Sequence, residues 1–291
     1  MIEEELSKEE IEAKTQFVVD QFERAGLDIR SYPELFERFK RLHSLESRHF
    51  EDSAQMVEII DAIWEGLETK LPFKLDKNQL TLATLLHDVG KSGPKEATPE
   101  EQRLVITLFD PRHYQAIQAS GERVEEMPVI RALQKSDIDS ALQQKIVNYL
   151  RGMGINIETE KMINFWRRHA DWTYEIISET QDEKITPRLA AMAASHHILD
   201  GKNPARIDLE DIPAESKTLE MIETYEVLTL VDKFQAFVKR SGLNHEETIK
   251  VLRQIIDKQS LLERVKDDYR KILEIIDFSK DKLQNILKSR S

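Results

Sequence analysis

The chain has 291 residues, of which 40% are hydrophobic and 33% are charged, and its formal net charge is -12 at pH 7. This composition predicts a globular protein with one large domain, or one domain with appendages. A nucleic-acid scaffold is disfavoured, because duplex binding depends on Lys and Arg at the phosphates. The sequence contains no cysteine, which excludes disulfides, thiolate zinc sites and a cysteine nucleophile.

The N-terminal segment and the apolar runs bear on the compartment. Residues 1–10 are acidic and lack the apolar core of a signal peptide. No apolar run approaches the roughly 20 residues that a membrane span requires. We therefore expect a cytoplasmic protein without a membrane span. Its partner can still be a small phosphate ester, since a local metal centre holds an anion against the net charge.

Apolar spacing of three and four residues dominates the chain and predicts an all-α, multi-helix bundle. An N-terminal helical lead, residues 1–46, opens with a helix that ends near Gly26. The apolar face of that helix consists of Ile11, Thr15, Val18, Val19 and Phe22. The predicted core domain, residues 47–240, begins with a long helix over residues 47–67 and a shorter one over residues 78–88.

A helical insertion is predicted at about residues 92–159, where proline and glycine punctuate the chain at Pro94, Pro99, Pro111, Gly121 and Pro128. Thr98 and Glu101 form a capping box with proline at the first helical position. A similar helix start is predicted at Ser136, with Asp139 in the place of Glu or Gln.

After the insertion the core domain continues with a helix over residues 160–180 and another that starts at Thr186. A loop over residues 200–213 precedes a helix over residues 216–239. These three helices carry the remaining candidate site residues, so the predicted core domain closes near residue 240.

Residues 241–291 are predicted to form a C-terminal extension of amphipathic helices. Asn244 and Glu247 cap the first helix, and Ser279 restarts a short last one. The apolar stripe of the extension consists of Leu262, Val265, Tyr269, Ile272 and Ile276. An intramolecular packing face is the favoured interpretation, and a coiled-coil seam for a protein partner or a homodimer is the alternative.

An adjacent histidine and aspartate, His87 and Asp88, close the helix over residues 78–88 and are followed by Gly90 and Lys91. An imidazole beside a carboxylate offers a divalent ion two ligand atoms, and the second carboxylate oxygen can bridge to another ion. Further candidate ligands lie on separate predicted helices: His49, His169, His196, His197 and Asp232. A bundle can project such side chains into one cavity. This pattern indicates a hydrolase that activates water on Mn, Fe, Co, Ni or Zn rather than Ca.

These motifs, in this order, resemble the HD superfamily of metal-dependent phosphohydrolases, and most of all its HD-GYP branch. His49 resembles the first histidine of the family. His87 and Asp88, in the longer pattern HDxGK, resemble the pair that gives the family its name. His169 resembles the single histidine of the next family helix, and Asp232 resembles the aspartate that closes the domain.

The block that begins at His196-His197 resembles the HHxxxDGxGYP signature of the branch. Its later positions correspond to Asp200, Gly201 and Pro204, and Asp211-Ile212-Pro213 is similar to the EIP that follows it. The Gly-Tyr-Pro signature itself is absent, because the chain has Asn203 where tyrosine would stand. The separation of His87 and His169 also exceeds the usual family gap.

The resemblance implies two transition-metal ions bound by His49, His87, Asp88, His169, His196, His197 and Asp232. It implies a phosphodiesterase that hydrolyses a cyclic dinucleotide such as cyclic di-GMP, or another nucleotide phosphoester. Asp88 would bridge the metals, and Lys91 would stabilise charge on the phosphoryl oxygens while activated water attacks. Substrate contacts are expected from Lys91, Asp200, Gly201 and Lys202, and Glu46 is a candidate ligand for a third ion.

Two alternatives stay open. The missing tyrosine and the long insertion favour a catalytically inactive signalling module that binds a nucleotide or a protein partner. A mononuclear nucleotidase would need only His49, His87, Asp88 and Asp232. The remaining histidines belong to no constellation and are predicted to be structural: His43, His113 and His245.

Overall fold

The computed structural model describes residues 7–71, 75–180, 182–200, 219–259 and 263–288. Within these ranges the protein has fourteen α-helices, five short 3-10 turns and no β-strand. The predicted all-α fold class is therefore confirmed. No helix in these ranges combines the length and the apolar character that crossing a membrane requires.

The N-terminal part packs four helices against one another: α1 (Lys8–Arg24), α2 (Pro33–Leu45), α3 (Ser47–Lys70) and α4 (Lys77–Leu86). Ser7 and Glu10 form a capping box that starts α1, and Gly26, with φ of 79°, follows its end as predicted. The predicted face of α1 is buried at Val18, Val19 and Phe22. Ile11 lies on the same face but is 43% exposed, because it lies in the first turn of the helix, beyond the buried part of that face.

The inserted segment contains α5 (Pro99–Phe109), α6 (Gln115–Ala119), α7 (Val129–Lys135) and α8 (Ser140–Gly152). The capping box of Thr98 and Glu101 is confirmed. The helix start predicted at Ser136 is wrong. Ser136 instead ends α7, where its hydroxyl donates to the carbonyl of Leu133 at 2.7 Å, and the carboxylate of Asp139 caps α8.

This segment has an apolar core of its own, distinct from the main one. It includes Val105, Leu108, Val129, Leu133, Ile146 and Leu150. Helix α9 (Met162–Glu179) completes it with Met162, Phe165 and Trp172. One long helix therefore holds the insertion on one side, and Ile176 and Ile177 of the same helix join the main core.

The C-terminal part contributes α10 (Pro187–Ala194), α11 (Leu219–Arg240), α12 (His245–Lys258), α13 (Glu263–Phe278) and α14 (Lys280–Lys288). The capping box of Asn244 and Glu247 is confirmed. Tyr269, Ile272 and Ile276 are buried in the main core, so the apolar stripe packs within the chain. Leu262 lies outside the described residues.

Candidate metal centre

Five of the candidate ligands come from three parts of the fold. His87 and Asp88 follow the last residue of α4. His169 lies in α9, and His196 and His197 lie in the 3-10 turn that follows α10. His197 is half-buried and the other four are buried. The order of the helices in the bundle therefore brings these side chains from distant parts of the sequence into one interior region.

The same backbone contact holds three of the histidine rings. Nδ1 of His87, His169 and His196 lies 2.7, 2.5 and 2.7 Å from the carbonyl oxygen of the residue three positions earlier. A carbonyl only accepts, so each Nδ1 carries the proton and donates it. Nε2 of each neutral ring therefore keeps its lone pair, which is the arrangement of a metal-binding imidazole.

The Nε2 atoms converge on one another and on a carboxylate. Nε2 of His169 lies 2.9 Å from Nε2 of His196 and 3.3 Å from Nε2 of His197. Oδ1 of Asp88 lies 3.2 Å from Nε2 of His169, and Oδ2 lies 3.5 Å from Nε2 of His87. The Nε2 lone pairs of His169 and His196 face each other this closely, and two neutral rings cannot form a hydrogen bond between two lone pairs. The cluster therefore calls for a cation among these atoms, either a proton or a metal ion.

Electrostatics disfavours a proton on His196 or on Asp88. Burial, and then the neighbouring rings of His197 and His87, hold the pKa of His196 well below its usual 6.5. Burial alone would raise the pKa of Asp88, but His87 and Lys91 outweigh it and hold that pKa well below 3.8. Neutral imidazole and ionised carboxylate are thus combined, which is a ligand set that first-row transition metals accept.

The spacing of the ligand atoms fits such an ion. His87, Asp88 and His196 form one group that could hold a metal, and His169, His196 and His197 form a second. In each group the ligand atoms lie within 4.8 Å of one another. Bonds of about 2.0–2.2 Å separate the ligand atoms of one ion by roughly 2.8–4.4 Å, depending on the angle between them. Donor type and separation therefore both suit a metal ion.

Lys91 connects the cluster to His49, in the first turn of α3. Its Nζ donates to Oδ2 of Asp88 at 2.5 Å and to Nδ1 of His49 at 3.3 Å. An ammonium group only donates, so Nδ1 of His49 accepts and the neutral ring carries its proton on Nε2. That Nε2 is buried and has no hydrogen-bond partner among the described residues. His49 thus lies beside the converging Nε2 atoms, as the partner of Lys91.

Two other predicted ligands occupy different positions. Asp232 of α11 lines the same cavity as the cluster, and neither group of ligand atoms includes it. Glu46 is buried, and its carboxylate lies 2.7 Å from Nε of Arg48 and 3.1 Å from Nη2 of Arg112. Two guanidinium groups thus already neutralise Glu46, and its role as a ligand for a third ion stays a prediction.

Most of the predicted substrate loop lies outside the described residues. Gly201 and Lys202 lie outside the described residues, as does the side chain of Asp200. Lys91 is the remaining predicted substrate contact. It is buried and lines the cavity, so its charge is available to a ligand bound beside Asp88.

A cavity of about 1040 Å³ opens onto the cluster. Asp88, His169, His196 and His197 all reach its wall. Helix α11, the start of α12 and the end of α14 contribute further lining residues: Asp232, Lys233, Lys239, Arg240, His245 and Lys288. The candidate ligands thus line a pocket whose volume exceeds that of a metal ion.

Several residues of this site were not predicted from the sequence. Thr173 of α9 accepts a hydrogen bond from the amide of Gly90 at 3.0 Å and donates to the carbonyl of His87 at 2.9 Å. It thereby fixes the turn that carries Asp88. The insertion also lines the cavity, with Phe109, Pro111, Gln115 and Gln118. Of these residues, only Thr173 could have been found from the sequence, because it follows His169 by four residues and therefore lies on the same helix face.

The three histidines predicted to be structural differ in position. His43 stacks on Phe17 with ring centroids 5.2 Å apart, inside the N-terminal core. His113 lies 2.6 Å from the carboxylate of Asp137 in the insertion. His245 lines the cavity and its Nε2 lies 3.2 Å from Oδ1 of Asp277. All three therefore have local partners, and the third also belongs to the cavity wall.

Comparison of the chain with protein-family models, with curated proteins and with solved structures gave no match.

Proposed function

We propose that the protein is a metal-dependent phosphohydrolase of the HD type, which hydrolyses a phosphodiester or another nucleotide phosphoester. The convergence of imidazole Nε2 lone pairs with the ionised carboxylate of Asp88 in one buried cluster carries this proposal. A purely structural cluster has little reason to bring unprotonated nitrogens within 2.9 Å of each other.

The charge of the cavity wall supports an anionic substrate. Lys and Arg are outnumbered by Asp and Glu in the whole chain, at 42 to 54. The order reverses among the lining residues, where seven are Lys or Arg and five are Asp or Glu. The seven cations are Arg48, Lys91, Arg167, Lys233, Lys239, Arg240 and Lys288. A locally basic pocket in an acidic protein favours phosphate over a neutral or cationic ligand.

The size of the cavity supports a nucleotide-sized substrate. Pockets for small molecules span roughly 300–1,000 Å³, and this cavity has about 1040 Å³. The cluster occupies one part of its wall, which leaves space for the sugar, base or second nucleotide of a phosphoester.

The roles of the residues follow from their contacts. Bound metal ions would polarise the phosphoryl oxygens and lower the pKa of a water. Asp88 presents Oδ1 to His169 and Oδ2 to His87, so its two oxygens face the two groups of ligands. Lys91 holds its charge beside the same carboxylate and can stabilise negative charge that develops on a phosphoryl oxygen. His49 keeps Lys91 in place through Nδ1.

The test is hydrolysis of bis(p-nitrophenyl) phosphate by the full chain with Mn²⁺, together with elemental analysis of the purified protein. We expect turnover that His87→Ala and Asp88→Ala abolish, and one or two ions per chain. His113→Ala is the matched control, because that histidine lies outside the cluster. A wild-type protein that contains no transition metal and shows no turnover with any of Mn, Fe, Co, Ni or Zn would refute the proposal.

A further inference from the structure

The cavity contains one cation whose charge the described residues leave unmatched. Lys91 is paired with Asp88, Arg48 with Glu46, and both Lys239 and Arg240 with Asp52. Lys233 and Lys288 also have interactions of their own. Among the residues that the structure describes, Arg167 is the one lining Lys or Arg with no ion pair, hydrogen bond or other electrostatic interaction.

Arg167 is held at the cavity by the helix that carries it. Ile163, Trp166 and Arg167 line the wall together, at the spacing of one helix face. The indole Nε1 of Trp166 donates to the carbonyl of Leu108 at 2.9 Å, which fixes that face against the insertion. Arg167 precedes His169 by two residues on α9, and both residues line the same cavity. The guanidinium is half-buried and belongs to the same pocket as the cluster.

The insertion supplies a neutral wall to the same cavity. Its lining residues are Phe109, Pro111, Gln115 and Gln118, none of which is charged. Gln115 and Gln118 lie three residues apart on α6, and both are exposed. Their side-chain amides have no hydrogen bond to any described residue. The insertion thus offers polar groups to a ligand without placing a carboxylate in the cavity beside Arg167.

We infer that Arg167 binds a second anionic group of the substrate, at a subsite that the insertion walls with Gln115 and Gln118. This inference rests on the proposed function, since it takes the metal cluster as the place where the first phosphate binds. A guanidinium binds a phosphate or a carboxylate through two parallel hydrogen bonds, and the amides can complete the contact. The substrate class is then a phosphoester that carries at least one further negative group.

The test compares two probes that differ by one phosphate: adenosine 5'-monophosphate and adenosine 3',5'-bisphosphate. Isothermal titration calorimetry on the full, Mn²⁺-loaded chain measures both affinities. We expect wild type to bind the bisphosphate more tightly, and Arg167→Gln to weaken that probe at least tenfold while the monophosphate loses less. Arg167→Lys should restore part of the preference for the bisphosphate, since lysine keeps the charge but cannot form the two parallel hydrogen bonds of a guanidinium. Arg168→Gln is the matched control, because its guanidinium is paired with Glu160 at 2.8 Å.

The outcomes separate this inference from the proposed function. If wild type does not prefer the bisphosphate, or if Arg167→Gln keeps that preference, the subsite is refuted even when bis(p-nitrophenyl) phosphate is hydrolysed. If the preference depends on Arg167 but no phosphoester is turned over, the subsite stands and the hydrolase proposal fails. A loss of preference in Arg168→Gln equal to that in Arg167→Gln would indicate a general effect of charge and would also refute the subsite.

Discussion

Gly90 packs directly against the backbone of His169. A Cβ added to Gly90 would stand 1.9 Å from the carbonyl oxygen of His169 and 2.6 Å from the backbone nitrogen of Thr173. Both atoms belong to α9, so neither can move away without a shift of the helix. This contact sets the distance between the turn that carries Asp88 and the helix that carries His169. The arrangement of the candidate ligands therefore depends on the absence of a side chain at residue 90.

Gly90→Ala is expected to displace α9 and to impair metal binding. Forcing an extra carbon into a packed interior costs about 1–3 kcal/mol, and more when the obstacle is backbone. We expect a lower free energy of unfolding and a loss of bound Mn²⁺, measured by urea denaturation and elemental analysis. Gly152→Ala is the matched control: it lies at the end of α8, a Cβ there meets nothing, and alanine favours a helix. Equal metal content in the two variants would contradict this argument.

The hydroxyl of Thr173 is predicted to contribute to metal affinity without touching the metal. Thr173→Val keeps the shape but leaves the buried amide of Gly90 and the buried carbonyl of His87 without that partner. Each unsatisfied group costs about 1–3 kcal/mol. Because groups that orient metal ligands typically contribute about 10–100-fold to affinity, we expect a Kd for Mn²⁺ raised by that factor.

Thr173→Ser tests whether the hydroxyl or the packing matters. Serine keeps the oxygen and lacks only the methyl group, so its Kd for Mn²⁺ should stay close to that of wild type. Calorimetric titration of the metal-free variants measures both constants. A serine variant as impaired as the valine variant would show that packing, and not the hydrogen bonds, positions His87.

The sequence shows which residues are of the ligand type and in what order they occur, and it predicts the helices that carry them. Residue types singled out His87-Asp88 and His196-His197, because adjacent ligand-type residues at helix ends stand out along the chain, whereas His169 was included for its place in the order of the motifs. Spacing does not reveal which helices are neighbours. The contact of Lys91 with His49, the bridge through Thr173 and the wall from the insertion are all consequences of tertiary packing. Caps were predicted well where a box pairs two residues, as at Thr98, and failed at Ser136, whose hydroxyl serves the preceding helix.

Asp88→Asn is predicted to abolish metal-dependent stabilisation. Asparagine keeps the size of the side chain but removes the charge that faces His169, His87 and Lys91. A ligand at 100 times its Kd stabilises the folded state by about 2.7 kcal/mol. We therefore expect Mn²⁺ to raise the Tm of wild type and a chelator to lower it again, while the Tm of Asp88→Asn responds to neither.

Asp139→Asn is the matched control for that experiment. Asp139 is exposed and caps α8, and asparagine caps helices equally well. Its Tm should respond to Mn²⁺ as that of wild type does. A response of Asp88→Asn equal to this control would show that the carboxylate of Asp88 is not a metal ligand.

His43 is predicted to make the folded protein less stable in mild acid, independently of any metal. It is 3% exposed and stacks on Phe17, and burial holds its pKa below the usual 6.5. Above about pH 7.5, one unit over the usual pKa, the ring is largely neutral in both states, so it adds little pH dependence there. Below that pH the unfolded chain binds a proton that the folded chain resists, and stability falls as the pH falls. The contribution is at most about 1.4 kcal/mol per pH unit.

His43→Phe removes this titration while keeping an aromatic ring beside Phe17 and Phe50. It also loses the weak contact of Nδ1 with the carbonyl of Ser47, at 3.3 Å, so a small constant loss of stability is expected at every pH. Urea denaturation of the metal-free protein between pH 8 and pH 5 measures the slope. We expect parallel curves above about pH 7.5 and a shallower decline of the variant below it, because the other buried histidines titrate in both proteins and cancel in the difference. Identical slopes below pH 6.5 would mean that the folded protein accommodates the charged ring of His43, in contradiction to its burial.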